Sequence, residues 1–336
     1  MALIGIACNP QSGKDVRRLL TAATTIDDTE KLNILERILL SAAAVGRQQV
    51  CIMPDRLGYG RLLLQKGRAP GYPGDLSQLQ ICQMQTTETQ SDTTAFAARM
   101  EAEGADVLIV MGGDGTSRAA ARGTCRIPTI SLSTGTNNVY PEMLEGTVVG
   151  VAAAVLAGGK VPLEVCTAPA KCIEISVNGH LRDLALVDAA FCRNPFVGAR
   201  AIWNYEEITR VVVTQCSMAS IGFSALAGTM LTVRPEDARG ALAEFSDRAA
   251  NTLAPVGAGA LRGICVERAE TLRLDQTVTW TMTEQGTLAL DGEREIAFRP
   301  GDVIGCTVRR RGPLRVDVRR CVEFAREMGL FRLGQE

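Results

Sequence analysis

Histidine is nearly absent from this chain of 336 residues, in which His180 is the only one. It stands beside Asn178-Gly179, a strong turn signal, so a surface position is favoured and a histidine-dependent triad is not expected. An excess of charge of one sign is also lacking, since 36 basic residues stand against 37 acidic ones and the formal net charge is −1. A near-neutral chain has no field of its own with which to hold nucleic acid or an anionic membrane.

Paired cysteines and long apolar runs are missing too. The 11 cysteines occur singly, without a C-x-x-C pair, as is typical of reduced, buried thiols in a cytoplasmic protein and not of a zinc site or a disulfide framework. No apolar run approaches the roughly 20 residues of a membrane helix. The N-terminal stretch "MALIGIACNP" lacks the basic and apolar regions of a signal peptide. We therefore expect a cytoplasmic protein without stable membrane insertion.

Strand and helix patterns alternate over residues 1–160. The runs "ALIGIACN" and "DVLIVM" predict buried strands, whereas "DTEKLNILERILLSAAAVG" has leucines at helical spacing and ends at a glycine. Residues 55–76, rich in Gly, Pro and Arg, predict a loop with one helical turn at most. The alternation predicts an α/β domain with a Rossmann-like, doubly wound parallel sheet that is covered on both faces.

The pattern changes at about residue 161, where strand-like runs begin to meet at tight turns. Asn178-Gly179 and Asp291-Gly292 are strong hairpin signals. Residues 161–318 are therefore predicted to form a β-rich, β-sandwich-like second domain, interrupted by one helix at roughly 235–250. Residues 319–336 are predicted to form a helix that packs back on the first domain.

Three polar loops directly follow predicted strands: "CNPQSGK" (8–14), "GGDGT" (112–116) and "STGTNN" (133–138). Ligands of open α/β sheets lie beyond the carboxyl ends of the strands. Small residues there let backbone N–H groups approach an anion, and two of the loops lead into predicted helices whose dipoles favour one. The loops therefore indicate a phosphate-rich ligand. None is a Walker A loop or a G-x-G-x-x-G fingerprint, which disfavours simple P-loop and dehydrogenase interpretations.

Asp114 lies among the glycines of the second loop. A carboxylate beside phosphate oxygens is repelled unless it binds a metal or accepts a proton from an attacking hydroxyl, and both roles belong to phosphoryl transfer. The alternative is that Asp114 only caps the following helix, which would stabilise it by about 1 kcal/mol.

These motifs, together with "LDGE" late in the β-rich region, resemble those of the NAD kinase and diacylglycerol/sphingosine kinase superfamily along the whole chain. More narrowly, "NPQSGKDVRRLL", "GGDGTSRAAARG" and "STGTNNVYPEMLEGTVVG" resemble the ATP-NAD kinase-like acetoin-catabolism protein X family. The resemblance implies an ATP-dependent kinase whose active site lies in the cleft between two domains. Asp114 would orient the acceptor hydroxyl and take its proton, and Glu293 would be a second catalytic residue. The alternative for Glu293 is a solvent-facing position after the Asp291-Gly292 turn.

The resemblance also assigns residues to nucleotide and phosphate binding, with Lys14 as a point charge on phosphate. They are Asn9, Ser12, Gly13, Lys14, Gly112, Gly113, Gly115, Thr116, Ser133, Thr134, Gly135, Thr136 and Asn137. It assigns Asp188 and Gly222 to substrate binding, and no residue to a metal. Val187 stands where NAD kinases have Asn, and Ile221 and Phe223 stand where they have hydroxyl residues, which weakens the case for tight NAD binding.

We therefore expect an ATP-dependent small-molecule kinase that converts NAD to NADP by phosphorylating its 2′-hydroxyl. We also expect the kinase to be linked to acetoin catabolism and to form a homo-oligomer, either a dimer or a tetramer. Mg²⁺ is expected to arrive with ATP. Two alternatives stay open. A lipid kinase of the diacylglycerol or sphingosine type would share the motifs, although a membrane-binding amphipathic helix and a basic charge are lacking. A non-catalytic, nucleotide-binding accessory protein of acetoin catabolism would explain the altered substrate loops.

Overall fold

The computed structural model describes residues 2–10, 26–135, 138–193 and 205–333. Five of the candidate site residues lie outside these ranges, namely Ser12, Gly13, Lys14, Thr136 and Asn137. The elements up to residue 169 are, in chain order, β1 (Leu3–Cys8), α1 (Asp28–Val45), β2 (Gln49–Ile52), α2 (Tyr59–Gly67), β3 (Leu79–Ile81), α3 (Gln90–Ala102), β4 (Val107–Gly112), α4 (Asp114–Gly123), β5 (Thr129–Ser133), α5 (Gly146–Ala157), α6 (Leu163–Cys166) and β6 (Thr167–Pro169).

The later elements are mostly strands. They are β7 (Cys172–Val177), β8 (His180–Ala185), β9 (Asp188–Cys192), a 3₁₀ turn (Tyr205–Glu207), β10 (Ile208–Val213), α7 (Phe223–Gly228), β11 (Arg239–Ser246), β12 (Thr252–Gly257), β13 (Ala260–Arg273), β14 (Thr277–Thr281), β15 (Gly286–Leu290), β16 (Glu293–Phe298), β17 (Val303–Arg309), β18 (Leu314–Val316) and α8 (Val318–Glu327).

A parallel sheet organises the first part of the chain, with the strand order β3-β2-β1-β4-β5-β18-β6. β4 shows why its strands are apolar throughout: Val107, Ile109 and Met111 pack on the side of α1 and α5, whereas Leu108 and Val110 pack on the side of α3. Both faces of the sheet are therefore covered, as the continuous apolar runs predict. β18 and β6 come from later in the chain, and β6 runs antiparallel to β18.

The close crossing of α1 and α5 depends on Gly150. A Cβ atom at this position would lie 2.1 Å from Ser41 Oγ and 2.3 Å from the carbonyl oxygen of Ile38. We expect Gly150→Ala to lower the free energy of unfolding by about 2 kcal/mol, because α1 and α5 cannot move apart without opening the core between them. Urea denaturation would measure this. Gly46→Ala is the matched control, since a Cβ there meets nothing closer than 3.5 Å; equal losses in both variants would contradict the prediction.

Two antiparallel sheets form the β-rich part of the chain, in the orders β12-β13-β11-β10-β9-β15-β16 and β14-β17-β7-β8. They face each other across an apolar core in which Phe191 and Leu288 of the larger sheet pack with Ile304 and Cys306 of the smaller one. The predicted fold class, a Rossmann-like parallel sheet followed by a sandwich-like β-rich part, is confirmed. The domain boundaries at 160 and 318 stay predictions. α8 packs against α5 and α6, beside the first sheet.

The helix predicted at 235–250 is wrong. After a turn at 234–238 the chain forms strand β11, which pairs with β10 and β13. Pro235 and the alanines suggested a helix, but Leu242 points into the sandwich core while Ala241 and Ala243 face the opposite side. Burial on both faces of a sheet has overridden local helix propensity here.

The loop predicted over residues 55–76 contains a longer helix than expected, α2. The Asp55 carboxylate accepts the N–H groups of Gly58 and Tyr59 at its start, at 2.8 and 3.1 Å. Tyr59 and Leu63, one turn apart, are fully buried and anchor the helix on the sheet. Glycine and arginine obscured this short amphipathic pattern in the sequence.

Both predicted hairpin turns are present, with positive φ at Asn178-Gly179 and at Asp291-Gly292.

Candidate active site

The loops that follow β1, β4 and β5 meet at the carboxyl edge of the parallel sheet. Asn9 joins the first two: its N–H donates to the carbonyl of Met111 at 3.1 Å and its Nδ2 donates to Thr116 Oγ1 at 3.2 Å. The N–H of Thr134 donates to the carbonyl of Gly112 at 3.3 Å, which joins the second loop to the third. The described parts of the three predicted phosphate loops thus form one continuous rim.

Asp114 is the first residue of α4, and Gly113 occupies the N-cap position before it. The Asp114 carboxylate accepts the N–H of Tyr140 at 2.8 Å and that of Val139 at 3.1 Å, both from the segment after β5. Gln215 of the β-rich part holds the same segment, since its Nε2 donates to the carbonyl of Val139 at 3.0 Å. The acid is therefore fixed across the rim to a neighbouring loop, which a simple helix cap would not be.

The glycines of "GGDGT" let neighbouring side chains approach the loop closely. A Cβ on Gly112 would lie 2.5 Å from Thr116 Oγ1, and one on Gly113 would lie 2.9 Å from Asn138 Oδ1. A Cβ on Gly115 would lie 3.0 Å from Glu293 Oε1. None of these three residues has a positive φ, so close approach of neighbouring side chains, and not an unusual backbone conformation, accounts for them.

Ser133 and Gly135 hold the third loop together from within. Ser133 is buried, and its Oγ donates to the carbonyl of Gly135 at 2.7 Å and accepts from Asn138 Nδ2 at 2.7 Å. Asn138 also lies against Gly113, so it braces two loops. Asn138 is not among the residues predicted from the sequence, although "TNN" contains two adjacent amides.

Glu293 reaches this rim from the β-rich part of the chain. It is the first residue of β16, directly after the Asp291-Gly292 turn, and it is half-buried. Gln90 Nε2, at the start of α3, donates to Glu293 Oε2 at 2.7 Å. The turn therefore directs Glu293 toward the first turn of α4 and not toward solvent, and the two candidate acids come from opposite sides of the same site.

Arg118 is not among the residues predicted from the sequence, yet it is a charged residue near the site with no exposed surface. It lies one helical turn after Asp114. Its Nη1 is 3.1 Å from Asp183 Oδ2, its Nη2 donates to Glu295, and its Nε is 3.9 Å from Asp291 Oδ2. Burial alone would lower the pKa of Arg118, but the three carboxylates outweigh it and raise this pKa above its ordinary value.

Asp291 does more than form a turn. Its buried carboxylate accepts the backbone N–H groups of Leu186, Val187 and Asp188 at 2.7 to 3.1 Å. Burial raises the pKa of Asp291 to about 6, although Arg118 and these N–H groups oppose the shift. Asp291 therefore connects α4, β9 and the β15–β16 hairpin.

The candidate substrate residues lie in the β-rich part. Asp188 is buried at the start of β9, where its N–H donates to the Asp291 carboxylate at 3.1 Å and its carbonyl accepts the N–H of Asp291 at 3.0 Å. Gly222 has φ 91° before α7, and its N–H donates to the carbonyl of Pro255 at 3.1 Å. Val187 is fully buried beside α4, and Phe223 packs edge-on against Tyr205. Val187 and Phe223, two of the three residues that differ from NAD kinases, therefore have a role in packing.

Two features are absent from the residues that the structure describes. Within them, no three side chains of His, Cys, Asp or Glu are grouped so that they could hold a metal ion. None of the helices there is long and apolar enough to cross a membrane.

The fold and this site define the class of the protein: a parallel α/β sheet with a glycine-flanked acid at its carboxyl edge, completed by a β-rich part. Residues 4–161 match the model of the ATP-NAD kinase N-terminal domain, and residues 171–311 match that of the acetoin catabolism protein X C-terminal domain. The chain is 34% identical over 339 residues to Acetoin catabolism protein X of Cupriavidus necator, covering 98% of this chain and 94% of the relative. The chain therefore belongs to the acetoin catabolism protein X family.

Solved structures agree on the fold. Yeast NADH kinase, solved with NADH, has a TM-score of 0.56 at 13% identity, covering 100% of this chain and 89% of that one. A protein assigned as a diacylglycerol kinase from Bacillus anthracis has a TM-score of 0.50 at 14% identity, covering 94% and 96%. The predicted superfamily and the narrower family are both confirmed; at these identities the structures establish the fold alone.

Proposed function

We propose that the protein is an ATP-dependent kinase that phosphorylates a hydroxyl group of a small molecule, with the 2′-hydroxyl of NAD as the first acceptor to consider. The observation that carries the proposal is the placement of Asp114. It stands at the N-terminus of α4, on the rim where three phosphate-type loops meet, and two backbone N–H groups fix its carboxylate there. Glu293 lies beside the same helical turn.

The chemistry of this arrangement is a single displacement. The acceptor oxygen forms a bond to the γ-phosphorus of ATP, the bond from that phosphorus to the β,γ-bridging oxygen breaks, and ADP leaves. The proton of the acceptor hydroxyl passes to the Asp114 carboxylate. Since phosphoryl transfer is commonly loose, aiming the hydroxyl contributes more than forming a strong alkoxide.

The phosphates would be held by the rim. The N-terminus of α4 supplies backbone N–H groups and a favourable dipole, and Asn9 and Thr116 supply polar side chains. The family resemblance is the basis for proposing phosphate contacts at five further residues, namely Ser12, Gly13, Lys14, Thr136 and Asn137. Mg²⁺ enters as part of the Mg-ATP substrate.

NAD is the first acceptor because the N-terminal half matches an NAD kinase domain and the fold is that of an NADH kinase. The buried positions of Val187 and Phe223 also remove part of the argument against NAD, since those side chains pack in the interior. We propose Asp188 and Gly222 as residues near the acceptor. Acetoin catabolism, a cytoplasmic location and a homo-oligomer complete the proposal, and light scattering would measure the oligomeric state.

Mass spectrometry of the reaction products tests this function. The pure protein is incubated with Mg-ATP, or with Mg-polyphosphate, and with NAD, diacylglycerol vesicles or an extract of cell metabolites in separate reactions. NADP formation would support the proposal in full. Another phosphorylated product would keep the kinase and replace its acceptor, and phosphatidic acid would favour the lipid-kinase alternative. No product from any acceptor would contradict the kinase proposal and favour the accessory protein.

A further inference from the structure

Gln90 links α3 to the β15–β16 hairpin at the edge of the candidate site. Its Nε2 donates to Glu293 Oε2 at 2.7 Å, across 203 positions of sequence. A Cβ on Gly115 would lie 3.3 Å from Gln90 Nε2 and 3.0 Å from Glu293 Oε1. The amide and the carboxylate therefore lie close to each other and to the first turn of α4.

The backbone around Gln90 is held firmly. The buried Asp92 carboxylate accepts the N–H groups of Thr87 and Glu88, each at 2.8 Å, and this fixes Glu88 at φ 58°. Such a conformation is unfavourable for a residue other than glycine and persists where surrounding contacts determine it. The start of α3 thus has a defined geometry.

α3 is also tied directly to α4. Thr94 Oγ1 donates to the carbonyl of Ala119 at 2.8 Å, and a Cβ on Gly123 would lie 2.3 Å from the carbonyl oxygen of Thr94. The two helices cannot shift relative to each other without breaking this contact. Gln90 therefore occupies a fixed position with respect to Asp114, which begins α4.

We infer that Gln90 is a positioning residue for the reaction proposed above: its amide holds one oxygen of Glu293 and thereby directs the other, Oε1, toward the turn that carries Asp114 and Gly115. The inference rests on the proposed function. A neutral donor suits this task, because it binds an ionised carboxylate without the long-range field of a lysine or arginine. Leucine would remove the donor at similar volume, and glutamate would replace it with a second carboxylate of the same length.

Two readouts test the inference. The first is the ¹³C NMR resonance of the Glu293 carboxyl in protein with labelled glutamate, assigned by its loss in Glu293→Gln. Gln90→Leu is expected to shift this resonance at neutral pH because the carboxylate loses its donor. Gln85→Leu, at an exposed position in the loop that precedes α3, is the matched control and is expected to leave the resonance unchanged. An unchanged resonance in Gln90→Leu would overturn the inference.

The second readout is kinetic. Gln90→Leu is expected to lower kcat by about 10-fold to 100-fold with little change in the KM for ATP, since misplacement of a reacting group by about 1 Å has effects of this size. Gln90→Glu is expected to lower kcat at least as far, because like charges repel Glu293. Thermal melting and Gln85→Leu control for folding. A folded Gln90→Leu variant with wild-type kcat would overturn the positioning role. A wild-type protein inactive on every acceptor would instead contradict the kinase proposal, and the resonance would still decide whether Gln90 holds Glu293.

Discussion

Replacement of Arg118 by leucine is expected to lower the free energy of unfolding by about 3 to 5 kcal/mol. The guanidinium is completely buried, and its neighbours Asp183 and Asp291 have 8% and 0% of their side chains exposed. Leucine would leave these carboxylates, together with Glu295, without their shared cation. Removing one member of a buried ion cluster costs far more than the intact cluster contributes, because the remaining charges stay away from water. Urea denaturation of the variant would measure the loss.

Arg122→Leu is the matched control on the same helix. Arg122 lies 3.5 Å from Asp183, but 43% of its side chain is exposed, so solvent screens the pair and we expect a loss below about 1 kcal/mol. If both variants lost the same stability, the contribution of Arg118 would be that of an exposed ion pair with Asp183, and the prediction would be contradicted. A large loss for Arg118→Leu alone would identify the buried cluster as the connection between α4 and the β-rich part.

The cluster also explains which parts of the site could be predicted from the sequence. Asp114 and its glycines were recognisable because an apolar strand, a loop and a helix follow one another within a short stretch. The sequence predicts Asp291 only as a turn residue, since Asp-Gly is a sufficient local explanation. Its second role depends on Arg118 and on three N–H groups that only the folded chain brings near it. A local pattern gives no sign of such a partner.

The same limit applies to the residues that were missed. Gln90 lies outside the glycine motifs, and Asn138 is the last residue of one of them. Both are uncharged polar residues whose importance lies in contacts with Glu293 and Gly113. The fold shows the complementary case. Uninterrupted apolar runs and Asn-Gly or Asp-Gly turns predicted the parallel sheet and two hairpins, because in these cases the local signal and the tertiary environment agree. β11 was mistaken for a helix because they disagree: its alanines favour a helix, while its pairing with β10 and β13 requires a strand.

Under the proposed function, Asp114→Asn is expected to lower kcat by about 10³-fold, within the range of a general base that also orients the nucleophile. Asparagine has almost the same size, and its carbonyl oxygen can still accept an N–H from Val139 or Tyr140, so the rim should stay assembled. It cannot take a proton from the acceptor hydroxyl. Steady-state kinetics with the acceptor identified by mass spectrometry would measure the change, and thermal melting would report the state of the fold.

Asp106→Asn is the control that separates catalysis from scaffolding. Asp106 stands just before β4, at the opposite end of the strand from Asp114, and its carboxylate likewise accepts a backbone N–H, from Leu3 at 2.8 Å. In each variant a neutral amide oxygen replaces a carboxylate as the acceptor of backbone N–H groups, so both should lose about 1 kcal/mol of stability. Only the Asp114 variant should lose turnover, with the KM for ATP little changed. If the two variants retained similar kcat values, Asp114 would serve only to connect α4 with the loop after β5. The proton of the acceptor hydroxyl would then need another destination. Glu293 would be the candidate, because its carboxylate lies beside Gly115.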